Sequence, residues 1–423
     1  MTPLTLGPTA TAKLRGPTVT HRLFAAGNHA GLDAHVEAFG ALATHDIDGT
    51  FIDAVESAGL TGRGGAFFAS WRKIAATGSA RAGTPFSATP FSAKPVVIAN
   101  GAEGEPLSFK DKTLLAHAPH LVIDGLLAVA RAVAAGQVFI YAGSTSIPAV
   151  ERALAERPEA RRIRVVEAPH TFIAGEAGAV VNRIANGIAL PFDHRSRLSD
   201  SGLKGRPTLV FNVETLAHLA LIARYGPAWF RTEGSDRDPG TRLLSVSGPA
   251  GQQVLEVAGD LRLGEVLASA AVDLATVQAV MVGGYHGRWV GPLDYQLSPT
   301  GPEGLTVQPG AGVVHVLHTS QCGLEATARI VGYLANESAK QCGPCMFGLP
   351  VMARVMNALA HGGCDPRLVG ELDRLSHLVT GRGACHHPDG TAQLVGSALG
   401  TFADDVKAHV AGNCTKTTRR WHD

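Results

Sequence analysis

The chain lacks several features that would settle its class at once. Of its 423 residues only six are cysteine, too few and too scattered for a disulfide framework. Neither charge sign is in excess: 37 Lys and Arg face 36 Asp and Glu. No basic field therefore marks a nucleic-acid partner, and no polybasic segment marks an anionic membrane. Long apolar runs are missing too. The nearest, 121-LVIDGLLAVARAVAAG-136, carries Asp124 and Arg131 and falls short of the ~20 residues a span needs, which argues against direct membrane insertion. The first residues, MTPLTLGPTATAKLRGP, hold no apolar core before a small-residue cleavage site. The expectation is a cytoplasmic protein, free or attached to a membrane-bound or multi-subunit complex.

What is present is enough apolar residue, 45%, to bury more than one core. Texture divides the chain in three. Residues 1–238 alternate β-like runs (96-VVIAN-100, 137-QVFIYA-142, 163-IRVVEA-168, 208-TLVFN-212) with helical runs (112–135 and 147–156), the rhythm of an α/β layer fold and the expected ligand-binding domain. Residues 239–322 hold short β-like segments around one amphipathic stretch, 262-RLGEVLASAA-271, and read as a small α+β module without evident chemistry. Residues 323–423 are helical in pattern, with apolar residues spaced three and four apart in 324–337, 349–362 and 392–411. That predicts a small bundle.

Four motifs lie in the first part. In 62-GRGGAFFASWRK-73, glycines at 62, 64 and 65 let backbone approach a ligand, while Arg63 and Lys73 carry charge suited to a phosphate. The loop is neither a Walker loop nor a GxGxxG fingerprint, and by itself it is equally a mobile turn. In 100-NGAEGEPLSFKDK-112, Asn100, Glu103 and Glu105 follow an apolar run, at the strand end where open α/β sheets bind ligands; a solvated charged turn is the plainer alternative. The segment 172-FIAGEAGAVVNRIANG-187 sets Gly175 and Glu176 ahead of a helix. In 211-FNVETLAHLALIARYG-226, Asn212 and Thr215 stand at another helix start, where capping is the ordinary explanation. Late in the chain, 336-NESAKQCGPCMFG-348 spaces Cys342 and Cys345 as zinc sites, dithiols and iron–sulfur clusters do.

The order GRGGA-F, N-x-x-E-G-E-P-x-x-FKD, I-x-GE, NVETL and a late CGPC closely resembles the flavin-binding, NADH-oxidising NuoF-like component of respiratory complex I. The same family occurs in NAD-linked hydrogenases and formate dehydrogenases. The resemblance runs from about residue 40 to 420 and makes this a divergent member. It implies a Rossmann-like FMN domain, then a ubiquitin-like β-grasp (SLBB) module, then a helical bundle holding an iron–sulfur cluster. By motif it implies FMN contacts at Gly62, Arg63, Gly64, Gly65, Ala66, Lys73, Asn100, Glu103, Gly175, Glu176, Asn212 and Thr215. It sets Phe68 and Glu105 at the nicotinamide site.

The departures from the family pattern carry their own expectations. The family's GEE turn is 175-GEA-177, with Ala177 in place of a carboxylate, and its aspartate between Asn100 and Glu103 is Ala102. Its Pro-Pro-Phe segment is 194-HRSRLSD-200, with Arg197 near the aromatic's place. Losing an aromatic face and a carboxylate removes on the order of 2–4 kcal/mol of interaction, so NADH binding is expected to weaken. Arg72 and Arg197 leave NADPH as a donor, since a guanidinium holds a 2′-phosphate bidentately. The family's S-C-G-x-C-x-P-C aligns with Ser338 to Cys345, so that Ala339 replaces its first cysteine, and the later cysteine is Cys385. Three metal ligands remain, Cys342, Cys345 and Cys385. They imply a [3Fe–4S] cluster, or a [4Fe–4S] cluster whose fourth iron is open or takes His386 or His387.

The expected function is an FMN-dependent oxidoreductase subunit. It would pass electrons between a two-electron donor such as NAD(P)H and a ferredoxin-like or other iron–sulfur protein. The alternative is an assembly or binding subunit, with or without flavin, carrying zinc or no metal at its cysteines. Cys322, Cys364 and Cys414 have no motif partners and read as small buried apolar residues.

Overall fold

In the computed structural model, residues 20–28, 30–81, 94–192, 197–249, 251–291, 294–302, 304–362 and 364–416 are described. Three short helices, α1 (Leu32–Phe39), α2 (Thr50–Ala58) and α3 (Ser70–Arg81), precede the first strand. The apolar runs then form a parallel sheet: β1 (Val96–Gly101), β2 (Gln137–Gly143), β3 (Ile163–Ala168) and β4 (Thr208–Asn212), in the order β3-β2-β1-β4. Being buried on both faces, such strands read as continuous Val, Ile and Leu instead of alternating. Between them lie α4 (Lys110–His117), α5 (Pro119–Ala132), α6 (Ile147–Ala155) and α7 (Ala177–Asn186), and α8 (Val213–Phe230) follows β4.

The periodicity over 112–135 predicts one helix, but the chain forms two, bent by 95°. Pro119 explains the break. It donates no amide hydrogen and pushes the residue before it out of the helical region, and Ala118 sits at φ −136°, ψ 48°. Among the described residues no single helix is long and apolar enough to cross a membrane, although α4 and α5 together pass that test on length and composition. Leu121, Val122, Ile123 and Leu126 of α5 are buried inside the protein, and each contributes about 1.5–3 kcal/mol. Gly125 permits α5 to touch α8, since a Cβ there would lie 1.8 Å from the Leu216 carbonyl oxygen.

A second, mixed sheet follows. It comprises β5 (Thr241–Gly248), β6 (Gly251–Ala258), β7 (Val277–Val282), β8 (Arg288–Val290) and β11 (Val313–His318), ordered β6-β5-β11-β7-β8. β5 and β11 are parallel and the other pairings are antiparallel. The helix α9 (Leu263–Ser269) packs Leu263, Val266 and Leu267 on one face of this sheet. A short parallel pair, β9 (Gln296–Leu297) and β10 (Thr306–Val307), stands beside it.

The C-terminal part is helical: α10 (Gly323–Asn336), α11 (Leu349–Ala360), α12 (Arg367–Val379), α13 (His387–Thr401) and α14 (Ala403–Val410). Their shared core includes Leu324, Val331, Leu349, Met352, Leu372 and Val395. The run predicted as one helix over 392–411 breaks at Phe402, which leaves helical geometry at φ −106°, ψ 34° and packs its ring on Trp289.

Candidate functional site

β1 and β4 are neighbours in the sheet although β2 and β3 come between them in sequence. The connections from β1 to β2 and from β3 to β4 therefore run to opposite sides, and such a switch point opens a crevice at the strands' C-terminal ends. Asn100 and Asn212 are paired across that end. Above them lies a cavity of about 900 Å³, in the range of cofactor sites. All three parts of the chain wall it: Gly64, Asn100 and Asn212 from the first, Gly283 and Gly310 from the second, Cys385 from the third.

Of the sequence-predicted positions, Gly64, Gly65, Ala66, Asn100, Glu103, Glu105, Gly175, Glu176 and Asn212 line this cavity. Gly65 adopts φ +103°, a conformation that strains any residue with a side chain, and a Cβ there would touch the Gly310 backbone at 3.4 Å. Asn100 donates to the Gly175 carbonyl at 2.9 Å, tying two motifs together. Glu176 caps α7 by accepting from the Ala179 amide, and Asn212 caps α8 by accepting from Glu214. The Glu103 carboxylate accepts from the Ser108 hydroxyl at 2.7 Å and from the Asp111 and Lys112 amides, which fastens the start of α4.

Gly62, Arg63, Lys73 and Thr215 stand one layer behind the wall. Gly62 closes its loop by donating to the Phe68 carbonyl. The Arg63 guanidinium turns inward to Asp238 at 2.8 Å and to the Pro239 carbonyl, while its amide donates to Thr215 Oγ1. Lys73 Nζ donates to the Val210 carbonyl beneath the sheet end and lies 4.9 Å over the Phe211 ring; burial pulls the ammonium down to about 8. Phe68 is 56% exposed, Arg197 is exposed as well, and neither lines the cavity.

Glu105 is one of two strongly raised carboxyls in the cavity, the other being Asp111. Burial pushes Glu105 up to about 7, against the pull of two amides that donate to it, Tyr285 at 2.8 Å and Leu107 at 3.3 Å. Lys110, Asp111 and Glu214 form a buried cluster, with Lys110 Nζ 2.7 Å from each carboxylate. Burial alone would lower the Lys110 ammonium; the two carboxylates outweigh it and raise it. Asp111 in turn is raised, chiefly by desolvation, and accepts from Asn212 at 2.6 Å.

Sequence reasoning missed Lys110 and Asp111, although both stand inside the FKD motif. It also missed the wall supplied by the middle part: Gly283, His286, Gly287, Arg288, Gln308 and Gly310. Glycine turns and a lone histidine carry no spacing signal. Burial holds His286 neutral, down at about 3, and its Nε2 meets His387 Nδ1 at 3.1 Å.

Cys342, Cys345 and Cys385 gather beside the cavity, with Cys385 in its wall. Burial, and then its two neighbours, push the Cys345 thiol up to about 12. Cys345 lies in one turn of π-helix, Pro344–Gly348, a distortion frequently found at functional sites. The three thiols are close enough to act on one another, and a multi-iron cluster holds its cysteines on separate irons. Of the two histidines beside Cys385, His387 is buried and donates Nε2–H to the Leu334 carbonyl at 2.8 Å. Exposed His386 meets Asp389 through Nδ1 at 3.1 Å.

A parallel sheet with a cofactor-sized cavity at its switch point, and three cysteines in and beside the cavity wall, define a redox protein of the flavin and iron–sulfur class. Residues 55–221 match the Nuo51 FMN-binding domain, and residues 325–409 match the NADH-ubiquinone oxidoreductase-F iron-sulfur binding region. The F subunit of the NADH-quinone oxidoreductase of Mycobacterium tuberculosis is 30% identical over 396 residues, covering 85% of this chain and 84% of that protein. An F subunit of the corresponding enzyme of Rhizobium meliloti is 29% identical over 381 residues, with 85% and 88% covered. Among solved structures, an NAD+-reducing [NiFe]-hydrogenase in the air-oxidized state superposes with a TM-score of 0.79 at 26% identity, over 95% of this chain and 68% of that one. The chain belongs to the family of NADH-quinone oxidoreductase F subunits. It is an FMN-dependent, iron–sulfur electron-transfer protein, and these matches do not favour the binding-only alternative.

Proposed function

We propose that the chain takes an electron pair from a nicotinamide dinucleotide at the cavity and passes electrons singly through a cluster on Cys342, Cys345 and Cys385 to an iron–sulfur partner in a multi-subunit assembly. One observation carries this reading: the flavin-sized cavity and the cysteine trio share a wall at Cys385. Bound FMN supplies the step from paired to single electrons.

The protein's own groups do the rest. Gly64, Gly65 and Ala66 offer backbone to the flavin at close range, with Asn100, Glu103, Gly175, Glu176 and Asn212 around it. Gly62, Arg63, Lys73 and Thr215 fix that shell from behind. Burial keeps Glu105 largely protonated below pH 7, so that it can donate a hydrogen bond inside the cavity. Phe68 and Arg197, both exposed, are free to meet a dinucleotide entering from solvent.

The same reading divides the chain at 1–238, 239–322 and 323–423. The central sheet is taken as a β-grasp module, supported by its mixed strand order with a single covering helix.

Stopped-flow spectroscopy of anaerobic protein loaded with FMN tests the proposal. NADH or NADPH should bleach the flavin, and the cluster should reduce afterwards. With Ala102, Ala177 and Arg197 in place, the NADH phase is expected to be slow and the NADPH phase faster. A flavin that neither donor bleaches would overturn the proposal.

A further inference from the structure

A second set of metal-binding side chains lies away from the cavity. Cys322 is the N-cap of α10, His409 lies in the last turn of α14, and Cys414 follows four residues beyond that helix. Their ligand atoms are all within 4.8 Å of one another, and all three residues are buried. We propose that Cys322, His409 and Cys414 form a structural zinc site that clasps the end of the chain to the start of the helical bundle.

The donor chemistry selects the ion. Two thiolates and one imidazole are soft and borderline ligands, which suit Zn2+ and exclude Mg2+ and Ca2+. Two thiolates also neutralise a divalent cation, so that the buried site carries no net charge; a monovalent ion would leave one negative charge in the core. Zinc at about 2.3 Å from sulfur and about 2.0 Å from nitrogen draws its ligand atoms to separations under about 4.6 Å, close to those present.

The surroundings orient the ligands as metal sites do. His409 Nδ1 donates to the Leu359 carbonyl at 3.1 Å, which fixes the tautomer and leaves Nε2 with its lone pair. That nitrogen faces Cys322 Sγ at 3.5 Å. A carbonyl bonded to the far nitrogen of a ligating histidine is the usual outer partner at such sites. Burial pushes the Cys322 thiol up to about 12, against the pull of the Glu325 and Leu324 amides at the start of α10, so that a metal ion here must displace the thiol proton on binding. Asp405 accepts from both Thr415 and Gln278 of β7, so the segment carrying Cys414 is held against sheet and bundle together. The clasp closes a loop of about 90 residues, the kind of closure that most constrains an unfolded chain.

The test uses full-length protein purified anaerobically with its cofactors. Metal analysis should find one zinc per chain. The zinc should persist in Cys342→Ser and Cys385→Ser, which lose iron, and disappear from Cys322→Ser and Cys414→Ser, which keep it. Should those two variants fail to fold, X-ray absorption at the zinc edge of the wild-type protein decides. Two sulfurs near 2.3 Å with light atoms near 2.0 Å support the site. Absence of zinc after growth in zinc-replete medium, a Cys322–Cys414 disulfide in protein kept under nitrogen, or a zinc shell without two sulfurs would overturn it.

Discussion

The two sets of three candidate metal ligands in this chain, Cys342, Cys345 and Cys385 and then Cys322, His409 and Cys414, stand at opposite ends of one helix. Cys322 caps the start of α10, and the segment from Ser338 to Cys345 begins just past its end; fourteen residues at 1.5 Å each separate them by about 21 Å. Cys385 opens on a cavity that three parts of the chain wall together, whereas Cys322, His409 and Cys414 are sealed. Chemistry that must exchange electrons needs the first setting, and chemistry that only has to hold suits the second. If the split is real, changes at the cavity alter cofactors and changes at the sealed trio alter stability.

The largest effect is expected at Gly65. A Gly65→Leu substitution must adopt the strained φ +103° and set a bulky side chain in the cavity wall beside Gly310, so flavin retention through gel filtration should vanish while zinc content stays unchanged. Next comes Cys385→Ser, which should remove iron and the reduced-state EPR signal without displacing flavin from the cavity. Iron at the wild-type level would dissolve the distinction between the trios. Smaller again is Ala339→Cys, which restores a fourth thiolate to the family's first cysteine position. The cluster should survive air longer, visible as slower loss of its charge-transfer absorbance.

The smallest effect is a pH dependence that blurs the comparison from the cavity side. Burial holds the Glu105 carboxyl at about 7 in the fold against an ordinary 4.5. Its contribution to stability is therefore full below about pH 4.5 and drains away as pH climbs to about 7. Glu105→Gln should flatten that part of the urea-unfolding profile by one proton and leave the apoprotein more stable above pH 7, by a few kcal/mol at most.

Much of the cavity was legible because its glycines and strand-end residues recur in a fixed order. Gly64, Gly65, Asn100, Glu176 and Asn212 were each found by position in a motif. Residue type was a weaker guide. Arg63 and Lys73 carry charge suited to a phosphate, yet Arg63 finds Asp238 at a distance of 175 residues, and no local pattern announces such a partner. The wall from Gly283 to Gly310 is backbone and turn, which composition cannot distinguish from any loop. The helix breaks at Ala118 and Phe402 interrupt patterns that stay periodic across them. Cys322 and His409 were invisible as a pair for the same reason as Arg63 and Asp238: they stand 87 positions apart.

That three parts of the chain share one cavity also sets a schedule. Gly64 and Gln393 both line it and stand 329 positions apart, the first wall residue and the last. At about 5–20 residues per second of synthesis, the glycine loop waits about 16–66 s before the final wall residue is made. The complete wall thus exists only once most of the chain has been made, and a ribosome stalled midway carries an open half-site.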